Sequence, residues 1–204
     1  MIQELKHTYE FDMVHDAQQV FRQLLDALAR PGEKKSIQKE AGKFGESYAP
    51  LTAIGCTLLD QEKVMYVEKN PRLSDTLHDL TFSHPGTLSA ADYLFLSSAM
   101  NYASVLEVMK HAKKGTYANP QESATLIFLC ETLDGEKEAI LEGPGIHGTL
   151  RLKTSLYIYN LLHIRQKLKT EYPLGIDFYC VTPGGELLGF PRLVRLMGQK
   201  GGES

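Results

Sequence analysis

The sequence has few cysteines, no long apolar run and no excess of charge of one sign. Its three cysteines, Cys56, Cys130 and Cys180, stand singly in apolar segments without C-x-x-C spacing, which argues against a disulfide framework. No run approaches the roughly twenty apolar residues of a membrane span, and the first residues lack the basic and then apolar pattern of a secretory signal. These absences predict a soluble cytoplasmic protein with reduced, buried thiols.

The charge is nearly balanced, with 22 basic and 25 acidic residues and a net charge of −3. Because both signs are mixed along the chain, neither nucleic acid nor an anionic membrane is expected as a partner. The 204 residues, 43% of them hydrophobic, are enough for one sizeable core and too few for two comfortable ones. We therefore predict a single domain over residues 1–197 and a flexible, glycine-rich tail over residues 198–204.

Common site motifs are missing or incomplete. The seven histidines form neither H-x-H nor H-E-x-x-H, so no metal site is expected, and no phosphate-binding P-loop is present. Residues 143–148 satisfy G-x-G-x-x-G, but residues 150–153 that follow are extended in pattern, and helical spacing begins only near Ser155. This indicates a tight structural turn. His84 lies beside a Pro-Gly turn and is a candidate ligand residue, although a solvated turn histidine is the commoner case.

Helical and strand patterns alternate along the chain, which predicts an α/β layered domain. The predicted helices cover residues 16–30, 51–59, 71–80, 98–114 (capped by Gly115) and 155–169. The predicted strands cover residues 33–37, 64–67, 93–96, 124–130 and 139–141, with a polar loop over 39–48. An Asp-Gly pair at 134–135 predicts that the last two strands form a hairpin.

The segment 172–195 reads as a second hairpin, with Gly184 and Gly185 as a two-residue turn. That turn places Val181 opposite Leu188 and Asp177 opposite Arg192. A carboxylate in an apolar strand is costly unless it is paired, so an arginine, Arg192 or another, should reach Asp177. The pair has two readings, a structural ion pair or part of a ligand site, and the sequence leaves both open.

Four segments taken together resemble one protein family. They are residues 15–32 (HDAQQVFRQLLDALARPG), 115–128 (GTYANPQESATLIF), 143–146 (GPGI) and 172–192, which contains PLGID and GFPR. In this order, and spread over residues 12–195, they resemble PhnH, a subunit of the bacterial carbon–phosphorus lyase system for phosphonate use.

The resemblance implies a fold, partners and an activity. The fold is a three-layer α/β/α sandwich with a mixed sheet, similar to the large domain of pyridoxal-phosphate-dependent transferases but without the cofactor site. The implied assembly is a homodimer that joins the PhnG, PhnI and PhnJ subunits. Together these take a phosphonate and ATP, displace adenine to make a ribose 1-phosphonate 5-triphosphate, and later break the carbon–phosphorus bond by radical iron–sulfur chemistry. This chain has no cysteine trio for such a cluster, so an accessory, non-catalytic subunit without a cofactor is expected.

A candidate anion-binding patch combines the Gly143 and Gly145 turn with Asp177 and Arg192, and His84 is a further candidate ligand residue. Successive backbone N–H groups and a guanidinium suit phosphate or phosphonate oxygens. Two alternatives differ in class: a freestanding transferase acting on a small anionic substrate, and a pyridoxal-dependent enzyme. No catalytic residue is predicted.

Overall fold

The computed structural model of the chain, which describes residues 9–45, 48–97 and 99–197, contains alternating helices and strands. The helices are α1 (His15–Ala29), α2 (Gln38–Ala41), α3 (Ala49–Leu58), α4 (Pro71–Thr81), α5 (Tyr102–His111) and α6 (Leu156–Lys167), with 3₁₀ turns at Gly42–Phe44 and Pro120–Glu122. The strands are β1 (Lys35–Ser36), β2 (Val64–Val67), β3 (His84–Pro85), β4 (Tyr93–Ser97), β5 (Thr125–Leu129), β6 (Lys137–Glu142), β7 (Leu150–Thr154), β8 (Asp177–Val181), β9 (Glu186–Phe190) and β10 (Arg195–Leu196).

A seven-stranded mixed sheet lies at the centre of the fold, in the order β1-β9-β8-β5-β4-β2-β3. The strands from β8 to β3 run parallel, whereas β9 pairs antiparallel with β8, and β1 pairs antiparallel with β9. A smaller sheet has the order β10-β6-β7. The predicted α/β class with a mixed sheet is confirmed.

The central strands of the large sheet carry buried apolar side chains on both faces. Both faces are therefore covered by other parts of the protein. Along β5, Ile127 packs into the core that includes residues of α1, α2, α3 and α4. Leu126 and Phe128 pack into the opposite core, which includes residues of α5 and α6 and of the smaller sheet. Strand 124–130 was therefore correctly predicted as central.

The register of the last hairpin differs by one residue from the prediction. Val181 pairs with Leu187, and Cys180 pairs with Leu188. The loop holds three residues, because the backbone N–H of Thr182 donates to the carbonyl of Glu186 at 2.8 Å. Gly185 adopts a φ of 83°, and its N–H donates to the carbonyl of Thr182 at 2.9 Å. This is a turn followed by a glycine bulge, and the extra residue shifts the pairing.

The hairpin predicted around the Asp-Gly pair at 134–135 is wrong. Strand β5 already has parallel neighbours on both sides, β4 and β8, so no edge is left for β6. Instead the chain leaves the large sheet after β5. The hydroxyl of Thr154, at the end of β7, donates to the carbonyl of Leu133 in this segment at 2.8 Å. Strand β6 then pairs with β7, the extended piece predicted over residues 150–153, in the smaller sheet.

Helix bounds agree with the predictions except around residues 98–114. There the helix covers only Tyr102–His111, and it begins where the side chain of Asn101 accepts the N–H of Ser104 at 2.9 Å. It ends at Ala112, whose ψ is 143°, so Gly115 does not cap it. Gly115 has a φ of 76° beside the bridge between Lys114 and Ser123. The loop predicted over 39–48 contains α2 and a 3₁₀ turn.

No helix within residues 9–45, 48–97 and 99–197 has both the length and the apolar character needed to cross a membrane. The tail predicted over residues 198–204 lies outside these ranges.

Candidate functional site

Asp177 and Arg192 form the ion pair expected from the sequence. The guanidinium Nε of Arg192 donates to the Asp177 carboxylate at 3.2 Å, and its backbone N–H donates at 2.7 Å. The two side chains are only 19% and 18% exposed. Arg192 lies just beyond the end of β9, so its side chain reaches back to the first residue of β8.

The rest of the Arg192 guanidinium is also bound within the protein. Its Nη1 donates to the carbonyl of Pro120 at 2.8 Å, and its Nη2 donates to the hydroxyl of Ser123. These bonds attach the 120–123 turn to the amino end of β8. The contacts of this arginine therefore match a structural ion pair, and its role toward a ligand stays a prediction.

The two glycines of the predicted patch lie where segments of backbone approach closely. A Cβ on Gly143, which has a φ of 140°, would lie 2.8 Å from the carbonyl oxygen of Leu193. A Cβ on Gly145, which has a φ of 81°, would collide with the carbonyl of Ala29 at the end of α1. Packing alone accounts for glycine at both positions, and anion binding by this turn stays a prediction.

His84 lies far from the other residues predicted for a ligand site. It is exposed on β3, at the edge of the large sheet, and pairs with Val64 of β2. Four strand-to-strand steps separate β3 from β8, which carries Asp177. At about 4.8 Å a step, the distance across the sheet is about 19 Å. The structure therefore does not bring His84 to Asp177 and Arg192.

A crevice lies at the other end of the strands from Asp177, beyond the carboxyl ends of β2 and β4. From β2 the chain passes through α4 outward to β3, whereas from β4 it passes through α5 inward to β5. The two helices pack into opposite cores. Loops that part in this way open a crevice, which is where parallel α/β sheets bind ligands.

The crevice has a volume of about 360 Å³, within the range of small-molecule sites. Strands β2, β4 and β5 each contribute an apolar residue to its lining, and most of its polar residues come from the segments that follow β2 and β4. Its lining includes Tyr48, Val67, Glu68, Lys69, Asn70, Phe95, Ser97, Asn101, Ser104 and Leu129.

Glu68 is the most enclosed charged group of the crevice. Its side chain is 12% exposed, and the nearest cation is Lys69, whose Nζ lies 3.5 Å away on a side chain that is 89% exposed. Within the described ranges, no hydrogen bond reaches the Glu68 carboxylate. Lys69 itself has a φ of 48°, a conformation that costs energy and clusters at functional sites. Glu68 is therefore well placed to accept hydrogen bonds from a ligand.

Two helix amino termini also face the crevice. Asn70 begins α4 by accepting the N–H of Leu73 at 3.1 Å, and Asn101 begins α5 in the same way. Each asparagine uses its carbonyl oxygen for the cap, so its NH₂ group can still donate. Helix amino termini carry a partial positive charge that favours anions. The crevice thus combines one carboxylate with several donors.

The sequence prediction missed these residues. The signal was an asparagine between the end of a buried strand and a helical pattern, at Asn70-Pro71 and again at Asn101. Asparagine is a preferred helix cap, and strands joined by helices run parallel. Together the two facts place both helix caps at the same end of the sheet, beyond the carboxyl ends of its parallel strands.

Arg165, on α6, was also not recognised. It is 7% exposed and donates to the carbonyls of Ile176, Phe190, Pro191 and Val194. Its guanidinium carbon lies 4.7 Å from the ring centroid of Phe178. Burial lowers the pKa of Arg165 to about 10, so the side chain is still charged at neutral pH. These contacts join the ends of β8 and β9 to α6.

The cysteines are buried, as expected from the sequence. Burial raises the pKa of the Cys56 thiol to about 12 and that of Cys180 well above its ordinary value. At neutral pH both are thiols and poor nucleophiles. Within the described ranges, no three His, Cys, Asp or Glu side chains group as metal ligands would.

Comparison with known proteins gives two matches. The family described as bacterial phosphonate metabolism protein (PhnH) matches residues 10–197. A similar protein is the alpha-D-ribose 1-methylphosphonate 5-triphosphate synthase subunit PhnH of Rhizobium meliloti (strain 1021). It is 26% identical over 186 residues, which cover 91% of this chain and 92% of that protein.

Proposed function

Because the chain belongs to the PhnH family of bacterial phosphonate metabolism proteins, we propose that it supports the formation of ribose 1-methylphosphonate 5-triphosphate as one subunit of a synthase complex. The observation that carries the proposal is the end-to-end match, 91% of this chain and 92% of a relative whose name states that activity. A match of that extent favours the role of a whole subunit over a shared module.

We assign this subunit an accessory role in the complex. The charged pair that the sequence singles out, Asp177 with Arg192, attaches the 120–123 turn to β8. The buried thiols of Cys56 and Cys180 have raised pKa values. The reacting groups of the synthase then belong to the partner subunits, for which we propose PhnG, PhnI and PhnJ, in the cytoplasm. The likeness to the large domain of pyridoxal-phosphate-dependent transferases is part of this proposal.

A homodimer is the second part of the proposal, and α1 offers a surface for it. Val14, which precedes the helix, and Phe21 and Leu25 are 72%, 44% and 51% exposed. Their spacing of seven and four residues places them along one side of the helix. A twofold axis brings the same surface of each copy together. We therefore assign this apolar strip to a second copy of the chain.

Light scattering tests the dimer. The wild-type chain should have the mass of two copies, and Phe21→Asp should have the mass of one, because a carboxylate cannot be buried unpaired in an apolar contact. Phe82→Asp is the matched control, since Phe82 is 68% exposed at the end of α4, outside the strip. A monomeric wild type, or a Phe21→Asp variant that stays dimeric, would refute this assignment.

Affinity purification tests the complex. The tagged chain is purified from cells that grow on methylphosphonate as their phosphorus source, and mass spectrometry identifies what comes with it. PhnG, PhnI and PhnJ should appear in fixed proportion. If the chain emerges without them and the isolated chain turns over a small anionic substrate, it is a freestanding transferase instead.

A further inference from the structure

We propose that the crevice beyond β2 and β4 binds the sugar-phosphate part of a small ligand, with Glu68 holding neighbouring hydroxyl groups of a pentose and the donors at the amino termini of α4 and α5 holding a phosphate or phosphonate group. The inference deepens the proposed function and rests on it for the choice of pentose.

The hydroxyl end follows from Glu68. An ionised carboxylate has two oxygens that only accept hydrogen bonds, so it fits two hydroxyl groups on adjacent carbons. The Glu68 side chain is 12% exposed, so most of it is enclosed by the lining of the crevice. Hydrogen bonds to a charged group are stronger than those between neutral groups, which makes this acceptor selective for ligands with hydroxyl groups.

The anionic end follows from the donors on the loops. The caps of α4 and α5 bring two helix amino termini to the crevice, and Lys69, whose Nζ lies 3.5 Å from the Glu68 carboxylate, adds a positive charge beside them. The NH₂ groups of Asn70 and Asn101 can donate to phosphate oxygens. A carboxylate would repel a bare anion, so phosphate alone should bind weakly. A ligand that carries hydroxyls beside its phosphate satisfies both ends at once.

The volume suits this class of ligand. About 360 Å³ accommodates a pentose with one phosphate group, near the lower end of the range for small-molecule sites. Val67, Phe95 and Leu129 contribute apolar lining, which the carbon face of a sugar ring can contact. The product named for the relative is a ribose that carries both a phosphonate and phosphates.

Calorimetry on the full chain tests the inference with ribose 5-phosphate, ATP, ribose and inorganic phosphate as probes. Wild type should bind ribose 5-phosphate more tightly than ribose or inorganic phosphate, and stronger binding of ATP would identify the ligand as a nucleotide. Glu68→Gln should weaken ribose 5-phosphate binding at least tenfold and leave phosphate binding unchanged or stronger. Glu62→Gln is the matched control, because Glu62 is an exposed carboxylate on the loop before β2.

A second measurement covers the case in which Glu68→Gln does not fold. Chemical shifts of wild-type backbone amides, followed as ribose 5-phosphate is added, should change at residues 68–70 and 101–104 and stay constant on β3. No binding of ribose 5-phosphate or ATP by folded wild type, or an unchanged affinity in Glu68→Gln, would overturn the inference.

The ligand site in the crevice and the membership of the complex can be refuted independently. A chain that co-purifies with PhnG, PhnI and PhnJ but binds none of the probes refutes the crevice alone. A chain that binds ribose 5-phosphate through Glu68 but purifies alone refutes membership of the complex and leaves the crevice standing.

Discussion

Replacing Arg165 with methionine should destabilise the fold more than replacing any exposed arginine. Methionine keeps the unbranched apolar part of the side chain, but it removes the guanidinium, its contact with Phe178 and every hydrogen bond that it donates. Those bonds go to four backbone carbonyls, two of them at 2.7 Å, those of Phe190 and Val194. The carbonyl of Ile176 precedes β8, that of Phe190 ends β9, and those of Pro191 and Val194 follow β9. Pro191 also accepts the backbone N–H of Val194 at 3.0 Å, so its carbonyl keeps one donor in the variant.

The magnitude follows from two opposing effects. Each hydrogen bond from a charged donor contributes about 1.5–3 kcal/mol, so the four could contribute several kcal/mol in total. Removing the buried charge recovers part of this, because taking a guanidinium out of water costs several kcal/mol. The partners of Arg165 are neutral carbonyls, so no unpaired charge remains, but each buried carbonyl that loses its donor costs about 1–3 kcal/mol. We therefore expect a net loss of about 3–5 kcal/mol. For a chain of this size that loss lowers the melting temperature by about 6–20 °C.

Thermal unfolding followed by circular dichroism measures this loss. The matched control is Arg151→Met, because Arg151 is 72% exposed and its contact with Glu138 is 3.4 Å long. The control should change the free energy of unfolding by less than about 0.5 kcal/mol. If Arg165→Met melted within 2 °C of wild type, the buried network would contribute no net stability, and our account of how α6 is joined to β8 and β9 would be wrong.

Two further predictions concern stability. Gly189→Ala should lower the free energy of unfolding in urea by about 2–3 kcal/mol, because the added Cβ would lie 2.7 Å from the backbone of Ala27. Gly42→Ala is the control, since no atom lies within 4 Å of the Cβ it would add. The control should be neutral or slightly stabilising. A hydrogen bond from Lys43 holds the pKa of Asp16 below its ordinary value. The ionised Asp16 therefore stabilises the fold fully above the unfolded pKa of about 3.9, and this stabilisation is lost as the pH falls through the lower folded pKa. The stability difference between wild type and Asp16→Asn should therefore be constant near neutral pH and shrink below about pH 4; a difference that grows on acidification would contradict this.

The sequence predicted the elements of this fold better than their pairing. Helix α1 and strand β5 are visible in local spacing, because each shows its buried face within a few residues. The pairing of β5 depends on which strands lie beside it, and the partner in β8 is 52 residues away, since Thr125 pairs with Asp177. The Asp-Gly signal at 134–135 is local and therefore could not reveal that β5 has no free edge.

The same distinction applies to the candidate sites. The pairing of Asp177 with Arg192 was predictable, because a carboxylate in an apolar strand requires a cation. Arg165 gave no such signal, since its partners are backbone carbonyls that look alike in every sequence. The crevice at Glu68 depends on the strand order of the sheet, with β2 beside β4.

An omission assay with purified subunits tests the central claim most directly. PhnG, PhnI and PhnJ are mixed with ATP and methylphosphonate, with or without this chain, and the formation of ribose 1-methylphosphonate 5-triphosphate is followed by phosphorus NMR. Our account predicts that the product forms efficiently only when the chain is present and that activity saturates at a fixed ratio of subunits. Equal product formation without the chain would contradict its role as a subunit of the synthase.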